Sequence, residues 1–246
     1  MNPDSPGPAP PSATETAVSL PLDIAIHQRT LRIALAGMVL FMFCAGLAAE
    51  LLIYLNWRDP YSLIHFFGLS YEENLPTWYS SMLAFSCAAA TSLVAVASRR
   101  RLCGSITHWW VLAIALALVS LDEVAQKHED LGTYFDYGGV LYYGWIIPAG
   151  IFVVLFGLSY LGFLLRLPPR IGRRLAAAGA TYVLGALILE LPLGYLADTV
   201  GTDNLTYGLI DLTEETLEMI GLSLFLDGVL LYLAQLSPAR ARAGNS

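Results

Sequence analysis

Ile33–Leu55 runs for 23 residues with one acidic side chain, Glu50, and no basic one. About 20 consecutive apolar residues cross the hydrocarbon core of a bilayer as a helix. Five more segments are of the same kind: Trp78–Ala97, Ile106–Val124, Leu141–Leu165, Leu175–Leu196 and Glu215–Leu236. Inside a bilayer every backbone amide must be bonded within the protein, which leaves helices and closed barrels. The run length and the lack of strict alternation exclude a barrel. The chain is therefore expected to be all-α, a polytopic bundle of six transmembrane helices. Composition agrees, since 56% of the 246 residues are hydrophobic and 13% are charged, against roughly 25% charged in soluble domains.

Residues 1–28, which open MNPDSPGPAPPSATET, are expected to be a disordered tail. They lack the basic and apolar regions of a signal peptide, so the first apolar helix is expected to stay as an anchor. Residues 29–238 form the membrane domain and 239–246 a C-terminal tail. Arg29 and Arg32, Arg99–Arg101, Arg166, Arg170, Arg173 and Arg174, and Arg240 and Arg242 all fall on one side of the six spans, and Arg58 and Lys127 on the other. Basic residues collect on the cytoplasmic side, so both termini are expected there. Trp109 and Trp110 would sit in the inner aromatic belt, and Trp57 and Trp78 in the outer one. Pro148 and Pro192 should kink their spans. The third helix should continue to Leu131 and stop at Gly132. Small residues at Gly37, Ala45, Gly46, Ala48 and Ala88–Ala90 read as close helix contacts. The net charge of −7 argues against nucleic acid. Cys44, Cys87 and Cys103 have neither disulfide nor metal spacing. Oligomeric state is not encoded in any of these patterns.

The acidic residues reverse the basic pattern. Glu50, Glu72 and Glu73, Asp122 and Glu123, His128 with Glu129 and Asp130, Glu190, and Glu214, Glu215 and Glu218 fall at the outer ends of the spans; Asp227 lies toward the other end. AELLIYL and LELPLGYL form a faint repeat, each with a Glu at an outer helix end. Three patches concentrate the charge: YEENLPTWYSS, SLDEVAQKHED and DLTEETLEMIG. Together they resemble an uncharacterised family of bacterial multi-pass membrane proteins whose members carry LPTW-S-S, SLDE-x4-HE and EE-x2-E-M-x-G segments. The resemblance covers nearly all the chain after the N-terminal tail. It implies the architecture and points at residues, without supplying a reaction.

Bland readings exist for several of these residues. On a continuous helix, Glu123, Lys127 and Asp130 would meet water, while Asp122 and Glu129 would share the inward face with His128 at its margin. Asp211 and Glu214 have capping-box spacing at the start of the last helix. Glu50 and Glu190, flanked by apolar residues, resist such readings, because a charged carboxylate at bilayer depth costs roughly 2.5 kcal/mol or more on insertion scales.

Carboxylates gathered with few basic partners repel, so some must be protonated or a cation must sit among them. Helical bundles build carboxylate metal sites from facing helices. The expected ligands are Glu50, Glu73, Asp122, His128, Glu190, Glu215 and Glu218, around a divalent metal ion. An oxygen-rich set suits Ca²⁺, Mg²⁺ or Mn²⁺, with Zn²⁺ or iron open through histidine. Neither the Glu-x-x-His repeat of di-iron bundles nor HExxH is present. Three functions compete. One is a metal-dependent enzyme acting on a lipid or lipid-linked substrate, with Asp122, His128 and Glu218 as catalytic groups. The second is a cation- or proton-coupled transporter. The third is a scaffold or complex subunit.

Overall fold

The computed structural model describes residues 28–101, 106–128, 134–135 and 137–236, with the side chains of 99–101 outside the description. The tails expected at 1–28 and beyond 238, along with Cys103, Glu129, Asp130 and the Gly132 stop, therefore lie outside it, Gln28 apart. The described chain is helical, with no strand among these residues. The elements are α1 (Gln28–Tyr54), α2 (Leu63–Phe67), α3 (Leu75–Arg101), α4 (Ile106–Ala125), a 3₁₀ turn (Gly139–Leu141), α5 (Ile146–Arg166), α6 (Pro169–Val183), a π-helical segment (Leu184–Leu189), α7 (Glu190–Thr199) and α8 (Leu205–Leu236). Among the described residues six helices, with α6 to α7 counted as one, are long and apolar enough to cross a membrane.

Helix α8 is the central post. It packs against α1, α3 and α6, and α3 packs in turn along α4. The main core joins Leu83, Cys87 and Val94 of α3 to Ile171 and Leu175 of α6 and Leu222, Val229 and Tyr232 of α8. Outside this core, Leu40, Ile114, Leu118, Leu155 and Leu158 stay exposed, which is the surface a lipid-facing bundle needs. Small residues set the closest approaches. A Cβ on Gly221 would lie 2.8 Å from the backbone N of Tyr182, and one on Gly185 would lie 2.7 Å from the Glu214 carbonyl oxygen. Gly46 is likewise pressed against Leu69 and Leu212. Gly37, in contrast, has nothing within 4 Å of where a Cβ would stand, and Ala48 is exposed.

Several local expectations are corrected. Pro148 is the third residue of α5, where its missing amide breaks no helical bond. Pro192 lies inside the continuous span Pro169–Thr199, as expected, three residues beyond the π-helical segment Leu184–Leu189. Trp109 is buried in the core, stacked on Tyr232 at 5.3 Å, rather than placed in an interfacial belt; Trp110 is exposed. α4 ends at Ala125, because Gln126 adopts a left-handed φ of 53°. α8 starts at Leu205, ten residues before the expected Glu215. Its cap is Asn204, whose Oδ1 accepts from the Tyr207 amide at 2.9 Å.

Candidate functional site

The site is built on the first half of α8. Asp211, Glu214, Glu215 and Glu218 stand at i, i+3, i+4 and i+7, so one face carries all four. Because the helix begins at Leu205, Asp211 is no N-cap and Glu214 no capping partner. The stabilisation that a helix N-terminus gives to acids falls off within the first turn, so it does not account for this run. Glu214 is buried and the other three are half-buried.

Each neighbouring element adds a carboxylate to that face. From α1, Glu50 is buried and accepts a hydrogen bond from Ser70 Oγ at 2.8 Å. Its seat exists because α8 carries Gly208, where a Cβ would lie 2.0 Å from Glu50 Oε2. Asp211 faces Glu50 across Ser70, and Asp211 Oδ2 is buried without a hydrogen-bond partner. From α7, Glu190 Oε1 accepts from Trp145 Nε1 at 3.2 Å. The Glu190 and Glu214 carboxyls lie near enough to influence each other, and two charged carboxylates so placed repel. From α4, Glu123 lies against Ser80 and faces Glu215 and Glu218. Tyr182 of α6 lies close to Glu218.

The end of α4 places the histidine. The left-handed turn at Gln126 folds the chain back, so the His128 amide donates to Asp122 Oδ1 at 3.1 Å and His128 Nδ1 meets Asp122 Oδ2 at 2.8 Å. The His128 ring also lies edge-on to Trp145 at 5.0 Å. Trp145 therefore touches both His128 and Glu190, which links two hairpins through one indole. The expected continuous helical face through Asp122 and His128 is replaced by this turn.

The loop before α3 makes a choice between adjacent acids. Glu72 turns inward and takes a hydrogen bond from Gln126 Nε2. Glu73 has φ of 56° and is exposed, so it stands apart from the other expected ligands. The loop is fixed by buried Asn74, whose Nδ2 donates to the carbonyls of Gly68 and Tyr71 at 2.6 and 2.7 Å while its Oδ1 caps the Thr77 amide at 3.1 Å.

Of the expected residues, Glu50, Asp122, His128, Glu190, Glu215 and Glu218 thus come to one end of the bundle, and Glu73 does not join them. Sequence reasoning missed Glu72, Asp211, Glu214 and Glu123 as members. For the α8 acids the signal was available, in the i, i+3, i+4, i+7 spacing. The arrangement is a chain of pairs: Asp211 to Glu218 alone spans about 10 Å of helix at 1.5 Å per residue, whereas a metal shell needs oxygens within about 2.6 Å of one point. Among the described residues no group of three or more His, Cys, Asp or Glu is placed to hold a metal ion.

The opposite end holds the contrasting carboxylate. Asp227 is buried and takes Arg32 Nε at 2.8 Å and Arg174 Nη1 at 2.6 Å. Between the two ends, Ser80, Tyr79, Ser223 and Ser98 hold buried oxygens with no hydrogen-bond partner.

The model of DUF8692, a domain of unknown function, matches residues 30–234. The chain belongs to that family. Both ends of the bundle, with the acid cluster and with Asp227, lie inside the DUF8692 match. No curated protein and no solved structure matches the chain.

Proposed function

We propose that the protein is a multi-pass protein of the bacterial cytoplasmic membrane, with both termini cytoplasmic, and that its acid cluster near the outer surface binds a cation in exchange for protons. Six helices of spanning length support the first part, and the one-sided arginines support the orientation. The observation that carries the second part is the convergence of acids at one end of the bundle: buried Glu50 and Glu214, Asp211 with a buried unpartnered Oδ2, and Glu190, Glu123, Glu215 and Glu218 beside them. Carboxyls brought together need a proton or a cation among them. An oxygen-rich set favours Ca²⁺, Mg²⁺ or Mn²⁺, which would displace the protons and draw the pairs together.

The buried hydroxyls of Ser80, Tyr79 and Ser223 favour a cation- or proton-coupled carrier, because they extend the polar surface from the cluster into the core. Calorimetry of the detergent-solubilised protein tests the reading, with each divalent ion titrated in two buffers of different ionisation enthalpy. Saturable binding should release about one proton or more per ion and vanish in Glu218→Gln. Heats at the dilution level for all three ions in both buffers would overturn it.

One contact favours a second reading, an enzyme acting on a lipid or lipid-linked substrate. Asp122 on His128 Nδ1 at 2.8 Å orients the ring as an acid–base group would require. In that case Asp122→Asn abolishes turnover of a lipid substrate while leaving cation affinity within about threefold.

A further inference from the structure

At the end of the bundle opposite the acids, Arg32, Arg170, Arg173 and Arg174 surround an open cavity of about 560 Å³ whose remaining walls are Ala177 and Leu231. We infer that this cavity is a binding site for a phosphate-bearing anion, supplied by the headgroup of an anionic lipid. Three of the arginines lie at i, i+3 and i+4 on the first turns of α6, so one helix face presents them together. The fourth comes from α1, more than a hundred residues away in the chain. Such convergence of like charges is unfavourable unless something negative lies among them.

Asp227 supplies part of that charge. It binds Arg32 Nε and Arg174 Nη1 with its two oxygens, and it is the carboxylate that the described residues place at this end. Four guanidiniums against one carboxylate leave an excess of three positive charges around the cavity. By fixing Arg32 and Arg174, Asp227 also holds two of the forks in place before any anion arrives. Guanidinium groups pair with phosphate oxygens two at a time, which a lysine cannot do. The volume falls in the usual range for small-ligand pockets.

The apolar walls point to the source. Ala177 and Leu231 complete the lining with apolar surface, which suits the start of an acyl chain below a headgroup and offers nothing to free phosphate. Basic pockets between membrane helices take anionic headgroups in this way. The lipid source, though not the anion site itself, rests on the membrane reading above.

The test uses the full-length protein in neutral detergent and follows binding by native mass spectrometry. The probes are dioctanoyl phosphatidylglycerol, dioctanoyl phosphatidylcholine, dioctanoylglycerol and inorganic phosphate. Saturable binding of the phosphatidylglycerol is expected, at least about tenfold tighter than the phosphatidylcholine and weakening with salt. The double variant Arg170→Gln/Arg173→Gln should lose about tenfold or more, while Arg166→Gln, outside the cavity, should match the parent. Arg170 and Arg173 are both exposed, and an unchanged melting temperature of the double variant confirms that it folds. Equal binding of inorganic phosphate, lost in the same variant, supports the anion site and assigns it to free phosphate. Binding of dioctanoylglycerol as tight as that of phosphatidylglycerol, or affinity unchanged in the double variant, would overturn the inference. Flotation of the protein away from membranes would instead sink the membrane reading, leaving the phosphate arm to decide the cavity.

Discussion

Helix α8 buries carboxylates at two places and treats them in opposite ways. Asp227 and Glu214 are comparably shielded, at 6% and 9% exposure. Asp227 meets two guanidiniums, at 2.8 and 2.6 Å; Glu214 meets another glutamate. Removing a carboxylate from water costs several kcal/mol. Two charge-assisted contacts offset much of that at Asp227. A single serine hydroxyl, such as Ser70 supplies to Glu50, carries no opposing charge and offsets less than two guanidiniums do. Asp227 is therefore a fastener joining α1, α6 and α8 with its charge already balanced. The acid cluster is left needing something mobile, a proton or a cation, to complete it. Polarity inside a bundle is thus not one phenomenon, and the sign of the partner decides whether a buried acid holds structure or responds to solution.

Neutralising each region should break the symmetry in opposite directions. The double variant Arg32→Met/Arg174→Met leaves Asp227 buried and unpaired, and should destabilise the bundle by about 3 kcal/mol after discounting for the partial exposure of both arginines, read as denaturant unfolding in detergent. Gly208→Ala places a Cβ on the Glu50 carboxylate and should cost about 2 kcal/mol by overpacking. The loss should shrink in the double variant with Glu50→Ala, as a double-mutant cycle would show; an unchanged loss would mean that Glu50 is not seated there. In the cluster the sign reverses. Glu218→Gln removes one of several repelling charges and should raise stability at neutral pH by about 0.5–1 kcal/mol, while Asp227→Asn lowers it. If both substitutions lowered stability equally, the two ends would not differ as argued.

The smallest expected effect lies in the loop beside the cluster. Burial pushes the Asp59 carboxyl up, but the amides of Ile64, Leu63 and Tyr61 outweigh it and hold it below its ordinary 3.8. A lowered folded-state value means that the contribution is full above pH 3.8 and fades as pH falls through the lowered value. Amide exchange in α2 should therefore quicken at the acid end of a titration, and Asp59→Asn should flatten that response. Protection in α2 that is independent of pH would remove Asp59 from the account.

The helices were legible because their signal is local. Hydropathy marks a long apolar run whatever it packs against, and five of the six expected spans overlap their helices to within about six residues at either end. The sixth, α8, was read ten residues short, because Asp211 and Glu214 resemble a cap in sequence and the polar stretch Leu205–Glu214 lowers the apparent run. Membership of the site was legible for residues lodged inside apolar runs, such as Glu50 and Glu190, where no solvent-exposed alternative exists. It was illegible where one backbone angle decides: Glu72 enters and Glu73 leaves on a left-handed residue, and His128 reaches Asp122 only because Gln126 turns.

Residue type and position along the chain were enough for the all-helical class, the six helices long and apolar enough to cross a membrane, and the segregation of acids from arginines. Only the packing of helices settles which acids come together, that Asp227 meets guanidiniums while Glu214 faces another acid, and that Trp109 belongs to the core. Those outcomes depend on close approach between helices distant in sequence, set by absent side chains at Gly185, Gly208 and Gly221 and by single turns of backbone, and no local pattern of hydropathy or charge carries that information.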